Sequence, residues 1–127
     1  MTVAAPPRPL TERSATDLAR AIREREISSR DAVEAHIALL EREQPRINAL
    51  AAERFDRARE EADAADARVA AGGDLPPLLG VPCTVKESIA LEGMPNCAGV
   101  VTRREHRSGE TAPSARACSR RAPSRSA

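Results

Sequence analysis

The chain has 127 residues, a formal net charge of +1 and one aromatic residue, Phe55. That length allows one ordinary domain at most, or a piece of a larger one, and any core must come from Leu, Ile, Val and Ala. A near-neutral balance excludes a global pull toward nucleic acid or anionic membranes. The charge is uneven, because from Arg103 onward seven arginines stand against Glu105 and Glu110.

Cys83, Cys97 and Cys118 form an odd set without C-x-x-C spacing, so neither a zinc site nor a disulfide framework is expected. No basic region followed by an apolar run opens the chain, and no segment approaches the ~18 apolar residues of a membrane span. The expected setting is soluble, reducing and cytoplasmic, with no metal and no cofactor.

In chain order, the Pro-rich residues 1–13 read as a flexible lead-in. Two helices then open with the same device. Ser14 with Asp17, and Ser28 with Asp31, each place a hydroxyl at the N-cap and a carboxylate three residues later. Helices are predicted over 15–26, with Leu18, Ala21 and Ile22 on one side, and over 29–44, with Val33, Ile37 and Leu40, ending near Pro45. A third is predicted over 51–71, where Ala51, Phe55, Ala58, Ala62, Ala65 and Val69 make one stripe. The stripe suits packing on a protein body better than a coiled-coil dimer, since mostly alanine heptads bury little area. Gly72, Gly73 and the following prolines end that helix.

A buried strand is predicted from Gly80 to Val85, with Lys86 at its end. A Gly-Met-Pro turn follows at Gly93 to Pro95. Beyond Arg103 no apolar period remains, and "SARACSRRAPSRSA" is expected to be disordered. A lysine at a strand end is usually a solvated charge. It becomes chemically useful when partial burial makes its neutral form accessible, so that it can take a proton from a hydroxyl.

The stretch "PLLGVPCTVKESIALEGMPNCAG", Pro77 to Gly99, resembles the first conserved block of the amidase signature family of serine hydrolases. The shared pattern is a Gly-Val-Pro strand, a Val-Lys-Glu at its end, then a Gly-Met-Pro turn and small residues. The upstream helix pair and the Ala-rich helix are similar too, so that the resemblance covers roughly Ala15 to Thr111. Within the family, "KES" and "GMPN" are more similar to fatty-acid-amide-hydrolase-like amidases than to the glutamyl-tRNA amidotransferases.

The resemblance implies an α/β fold, of which this chain would hold the N-terminal helical part and the first strand of a mixed sheet, over residues 14–112. It implies hydrolysis of a small-molecule carboxamide through a Ser–Ser–Lys triad and an acyl-enzyme, with Lys86 as the lysine and a Gly-rich loop supplying the oxyanion hole. Both family serines lie in a downstream Gly-Ser-Ser-Gly-Gly-type segment. None of Ser88, Ser108, Ser114, Ser119, Ser124 or Ser126 sits in such a loop, and neither His36 nor His106 is a substitute base. The fragment alone is expected to be inactive.

Residues 113–127 depart from the family's continuation, which is of the type "ARLLAAGAIPLG". With one assumed choice of codons ending in G or C, read from the third base of the Ser114 codon, the tail gives Gly-Pro-Arg-Leu-Leu-Ala-Ala-Gly-Ala-Val-Pro-Leu-Gly-Val. A frameshift near Pro113 is therefore expected. The alternative function is a small non-enzymatic helical protein whose basic tail makes weak, salt-sensitive contact with nucleic acid or a protein partner. The near-absence of aromatics argues against stacking on single strands, and no specific nucleic acid is expected.

Overall fold

The computed structural model describes residues 8–118. Three helices form its body: α1 (Ala15–Arg23), α2 (Ser29–Ile47) and α3 (Phe55–Ala71). A fourth, short helix, α4 (Pro113–Cys118), closes the described chain.

The first two starts follow the local capping chemistry. Ser14 Oγ accepts from the Asp17 amide at 3.1 Å. At α2 the box is complete: Ser28 Oγ accepts from the Asp31 amide at 2.9 Å, and the Ser28 amide donates to Asp31 Oδ2 at 3.2 Å. The ends differ from expectation. Helix α1 stops at Arg23 rather than at residue 26, because Arg25 turns left-handed at φ 59° and the Glu26 amide folds back to Ala21 O. Helix α2 runs past Pro45 to Ile47. There the Gln44 side chain holds the exit, donating to Leu50 O at 2.9 Å and accepting from the Leu50 amide at 2.9 Å, and Asn48 adopts φ 47°. The third helix, expected from Ala51, starts at Phe55.

The alanine stripe of α3 lies on its own chain. Ala62 packs with Val33 and Ile37 of α2, with Phe55 and Ala58 at the margin, and Val69 joins Leu18, Ile22 and Ala32. Leu18, Ile22, Val33, Ile37 and Val69 are the larger buried side chains, each worth about 1.5–3 kcal/mol. This core is small. Across its rim Glu34 accepts from Arg30 Nε at 2.8 Å and from Arg59 Nε at 2.9 Å, an ion network that bridges α2 and α3.

Three expectations are corrected. Gly80–Val85 is not a strand: among the described residues there is no sheet, only an isolated antiparallel bridge between Pro95 and Arg107. Extended sequence alone does not make a strand; a ladder partner is needed to take its amides and carbonyls. The lead-in is ordered from residue 8, since Leu10–Glu12 forms one tight turn and Leu10 packs on the core. The tail is helical over Pro113–Cys118, where alanine favours the helix, Pro113 suits its first turn and Ala115 is buried. The tail from residue 119, expected to be disordered, lies outside the described residues.

Hydrogen bonds from Arg59 and then Arg30 hold the Glu34 carboxyl below the usual glutamate range, and hydrogen bonds from Ser28 depress Asp31. Groups depressed on folding contribute stability that is fully present above their unfolded values near 4 and is lost as pH falls through the lower folded values. Asp31 is exposed and Glu34 half-buried, with its side chain still open to solvent, so each contribution is modest. The helical circular-dichroism signal is predicted to hold from pH 7 to about 5 and to decline below about 4. Glu34→Gln should make that decline shallower. A signal unchanged at pH 2 would contradict the ion network's contribution.

Candidate functional site

The segment that carries Lys86 leaves the helical body through a fixed node. Ser29, the first residue of α2, is fully buried. Its Oγ donates to Gly80 O at 2.7 Å. Its amide and that of Arg30 donate to the two carboxylate oxygens of Asp66 on α3, at 2.6 and 3.0 Å. Asp66 thus supplies negative charge to the positive end of α2 from a neighbouring helix. Arg23 adds a bond to Pro77 O at 3.2 Å, and Leu75, Leu79 and Val81 pack against the Leu18–Ile22–Ala32–Val69 cluster.

Gly80 is required at the node. Its φ is +80°, and an added Cβ would lie 2.8 Å from Ser29 Oγ.

From Val81 the chain runs to Lys86 without regular structure. A turn then closes where the Ile89 amide donates to Lys86 O at 2.8 Å. Residues 90–112 fold back on themselves. The Gly93 amide donates to Ser108 O at 2.8 Å, the Ser108 amide to Met94 O at 3.0 Å, the Asn96 amide to His106 O at 3.1 Å, and the Ala112 amide to Ala90 O at 2.9 Å. This returning loop is tied to the lysine turn through Glu87. The Glu87 carboxylate accepts from the amides of Cys97 and Ala98, the latter at 2.9 Å, and Glu87 O accepts from Asn96 Nδ2 at 3.1 Å. Hydrogen bonds from Cys97, then Ala98, hold the Glu87 carboxyl below the usual range, with a smaller attraction from Lys86.

Lys86 is exposed and is the sole lysine of the sequence. Among the described residues its amine has no hydrogen-bond partner. Of the serines, Ser88 is exposed two residues away, Ser108 Oγ donates to Glu110 O at 2.6 Å, and Ser114 lies in α4. Ser119, Ser124 and Ser126 lie outside the described residues. Among the described residues no hydroxyl is bonded to the lysine. His36 is committed to Ala32 O, 2.7 Å from its Nδ1, and His106 is exposed beyond the loop. Among the described residues no cluster of three metal-ligating side chains occurs, and no helix is long and apolar enough to cross a membrane. A groove of about 220 Å³ lined by Leu40, Gln44, Pro45, Leu50 and Phe55 includes no residue of the lysine segment.

The sequence pointed to Lys86 but not to its supports. Ser28 carried the capping signal, while its neighbour Ser29 carries the long-range contact; Asp66 looked like one more polar-face residue of α3. Only the acidic residue after the lysine gave a hint of Glu87.

The Amidase family model matches residues 31–116, which include the whole Lys86 segment and its returning loop. The chain belongs to the amidase family. It is 46% identical over 113 residues to fatty-acid amide hydrolase 2-A of Danio rerio, covering 84% of this chain and 21% of that protein. It is 40% identical over 108 residues to indoleacetamide hydrolase of Bradyrhizobium diazoefficiens, covering 85% and 21%. With a glutamyl-tRNA(Gln) amidotransferase of Synechococcus sp. (strain WH7803) it shares 38% over 69 residues, covering 54% and 14%. This amidase chain therefore spans about a fifth of the length of the first two relatives.

The node makes a sharp prediction for this amidase segment. Gly80→Ala meets both a left-handed backbone and the Ser29 hydroxyl, and should cost about 2 kcal/mol in denaturant unfolding. Gly109→Ala, with open space around its position, should change stability by less than about 0.5 kcal/mol. Equal effects would mean that the Ser29–Gly80 contact does not hold the segment.

Proposed function

We propose that Lys86 is the general base of an amidase that cleaves a carboxamide C–N bond by a Ser–Ser–Lys mechanism, with both serines supplied by sequence beyond this chain. The observation that carries this reading is chemical selection at one position. Every other strongly basic side chain here is arginine, and lysine stands only at the end of the anchored, family-matched segment. A solvated positive charge is served equally well by arginine. Arginine cannot give up its proton in a protein, whereas lysine can once its surroundings remove it from water. The residue at this position is the one able to act as a base.

In this mechanism neutral Lys86 takes a proton from a bridging serine, which takes one from the nucleophilic serine. The activated oxygen attacks the carbonyl, the C–N bond breaks as the amine leaves with a proton, and water releases the acyl group. The amides of Thr84, Val85 and Lys86 make no hydrogen bond to described residues, so this segment would enter the mixed sheet of a complete domain. The match to the fatty-acid amide hydrolase covers more of the chain than the match to the amidotransferase, which favours a hydrolase acting on small amides. The reading includes a shifted frame near Pro113, for which the support is the tail's composition: the Arg- and Ser-rich last residues lie beyond the end of the family match at Arg116. The reading extends to a cytoplasmic enzyme that needs no cofactor.

The test has two parts. The 127-residue chain should not turn over simple aryl or aliphatic amides above background. In a longer protein with the frame restored after Pro113, Lys86→Ala should lower kcat/KM by ~10² to 10⁴ while the unfolding temperature stays unchanged. A folded Lys86→Ala protein with near-full turnover would overturn the assignment.

A further inference from the structure

Lys86 sits on a turn with no helix or sheet of its own, and a flexible four-carbon stem gives the amine little intrinsic direction. A base must nevertheless come within about 2.6–3.2 Å of the proton it removes. What fixes this turn among the described residues is the residue next to the lysine. Three donors converge on Glu87: the Cys97 and Ala98 amides on its carboxylate, and Asn96 Nδ2 on its carbonyl. The donor loop is itself shaped for the task. Ala98 at φ 50° and Gly99 at φ 76° are successive left-handed residues, closed by the Val100 amide donating to Cys97 O at 2.9 Å. Backbone amides turned inward in this way form a concavity that receives an anion. Here the anion is supplied from within the chain.

We propose that Glu87 is a positioning residue for the Lys86 base: its carboxylate, gripped by the Cys97 and Ala98 amides, locks the 96–100 turn against the lysine turn and thereby sets where the amine points. The inference rests on Lys86 being the base. The lock works only while the carboxylate is ionised, because the protonated acid is a far weaker acceptor for two amides. Acid therefore releases the loop from the lysine turn.

The 127-residue chain itself provides the test, since it holds one lysine and, after Cys83→Ser and Cys118→Ser, one thiol. A short maleimide–succinimidyl ester cross-linker attached at Cys97 should close onto Lys86 as a single intramolecular product. Glu87→Ala should slow that closure by at least about fivefold, and Glu87→Asp should restore most of it, because it keeps the charge. Amide exchange at Cys97 and Ala98 should accelerate at least about tenfold in Glu87→Ala with the helical signal unchanged. Should Glu87→Ala not fold, the parent chain still decides the matter. Its Cys97 and Ala98 amide resonances should shift together on acidification, with a midpoint below the usual glutamate value of about 4.3. Closure unaffected by Glu87→Ala in a folded chain, or amides that do not titrate together, would overturn the proposal. These readouts use no amide substrate, so their failure would count against the Glu87 lock and leave the amidase reading to the turnover of Lys86→Ala.

Discussion

One carboxylate organises this molecule. Asp66, on α3, takes the first amides of α2, and the residue whose amide it takes, Ser29, in turn holds Gly80 through its hydroxyl. Without Asp66 those amides would be left at the edge of the core, at a cost of about 1–3 kcal/mol each. Two helices and the departure point of the lysine segment are therefore fixed together. The core beneath is made of aliphatic and alanine side chains and is small, so directional bonds of this kind set relative placement that packing alone would leave loose.

From that node outward the chain changes character. The helical body is held by buried apolar contacts and by the arginine–carboxylate pairs Arg30–Asp63 and Arg59–Glu34 across α2 and α3. The 80–112 region is held by backbone turns and by side chains that grip backbone, with Val85, Ile89, Val100 and Val101 exposed. Regions with few buried contacts open at low free energy. A lysine presented there depends on particular hydrogen bonds for its position, which is why Glu87 matters more than any apolar neighbour. Among the described residues the amides from Thr84 to Lys86 make no backbone hydrogen bond.

What could be read from the sequence was what depends on neighbours in the chain. The Ser–Asp spacings that start α1 and α2 act over three residues, and the α3 stripe follows from helical period; all three are visible without a structure. Lys86 stood out because a short motif surrounds it. Contacts across distance were not legible. Ser29 and Asp66 are 37 positions apart, and Glu87 meets Cys97 and Ala98 across a loop. Helix ends shifted wherever a side chain competed for backbone, as Gln44 does with Leu50, or where a non-glycine residue, Arg25, accepted a left-handed conformation. The strand failed for a related reason. Its pattern is local, but pairing is not, and the described residues offer no partner.

The chemistry turns on whether position 86 must lose a proton or merely carry charge. Lys86→Arg separates these directly, since it preserves the charge and forbids the base. In the frame-restored protein, the rate of acylation by a fluorophosphonate probe is the quantity to measure. Loss of at least about a hundredfold, with the folded state intact, is the result predicted for a general base. A Lys86→Arg protein acylated at the parent rate would contradict it and leave Lys86 a solvated charge at the end of an anchored loop.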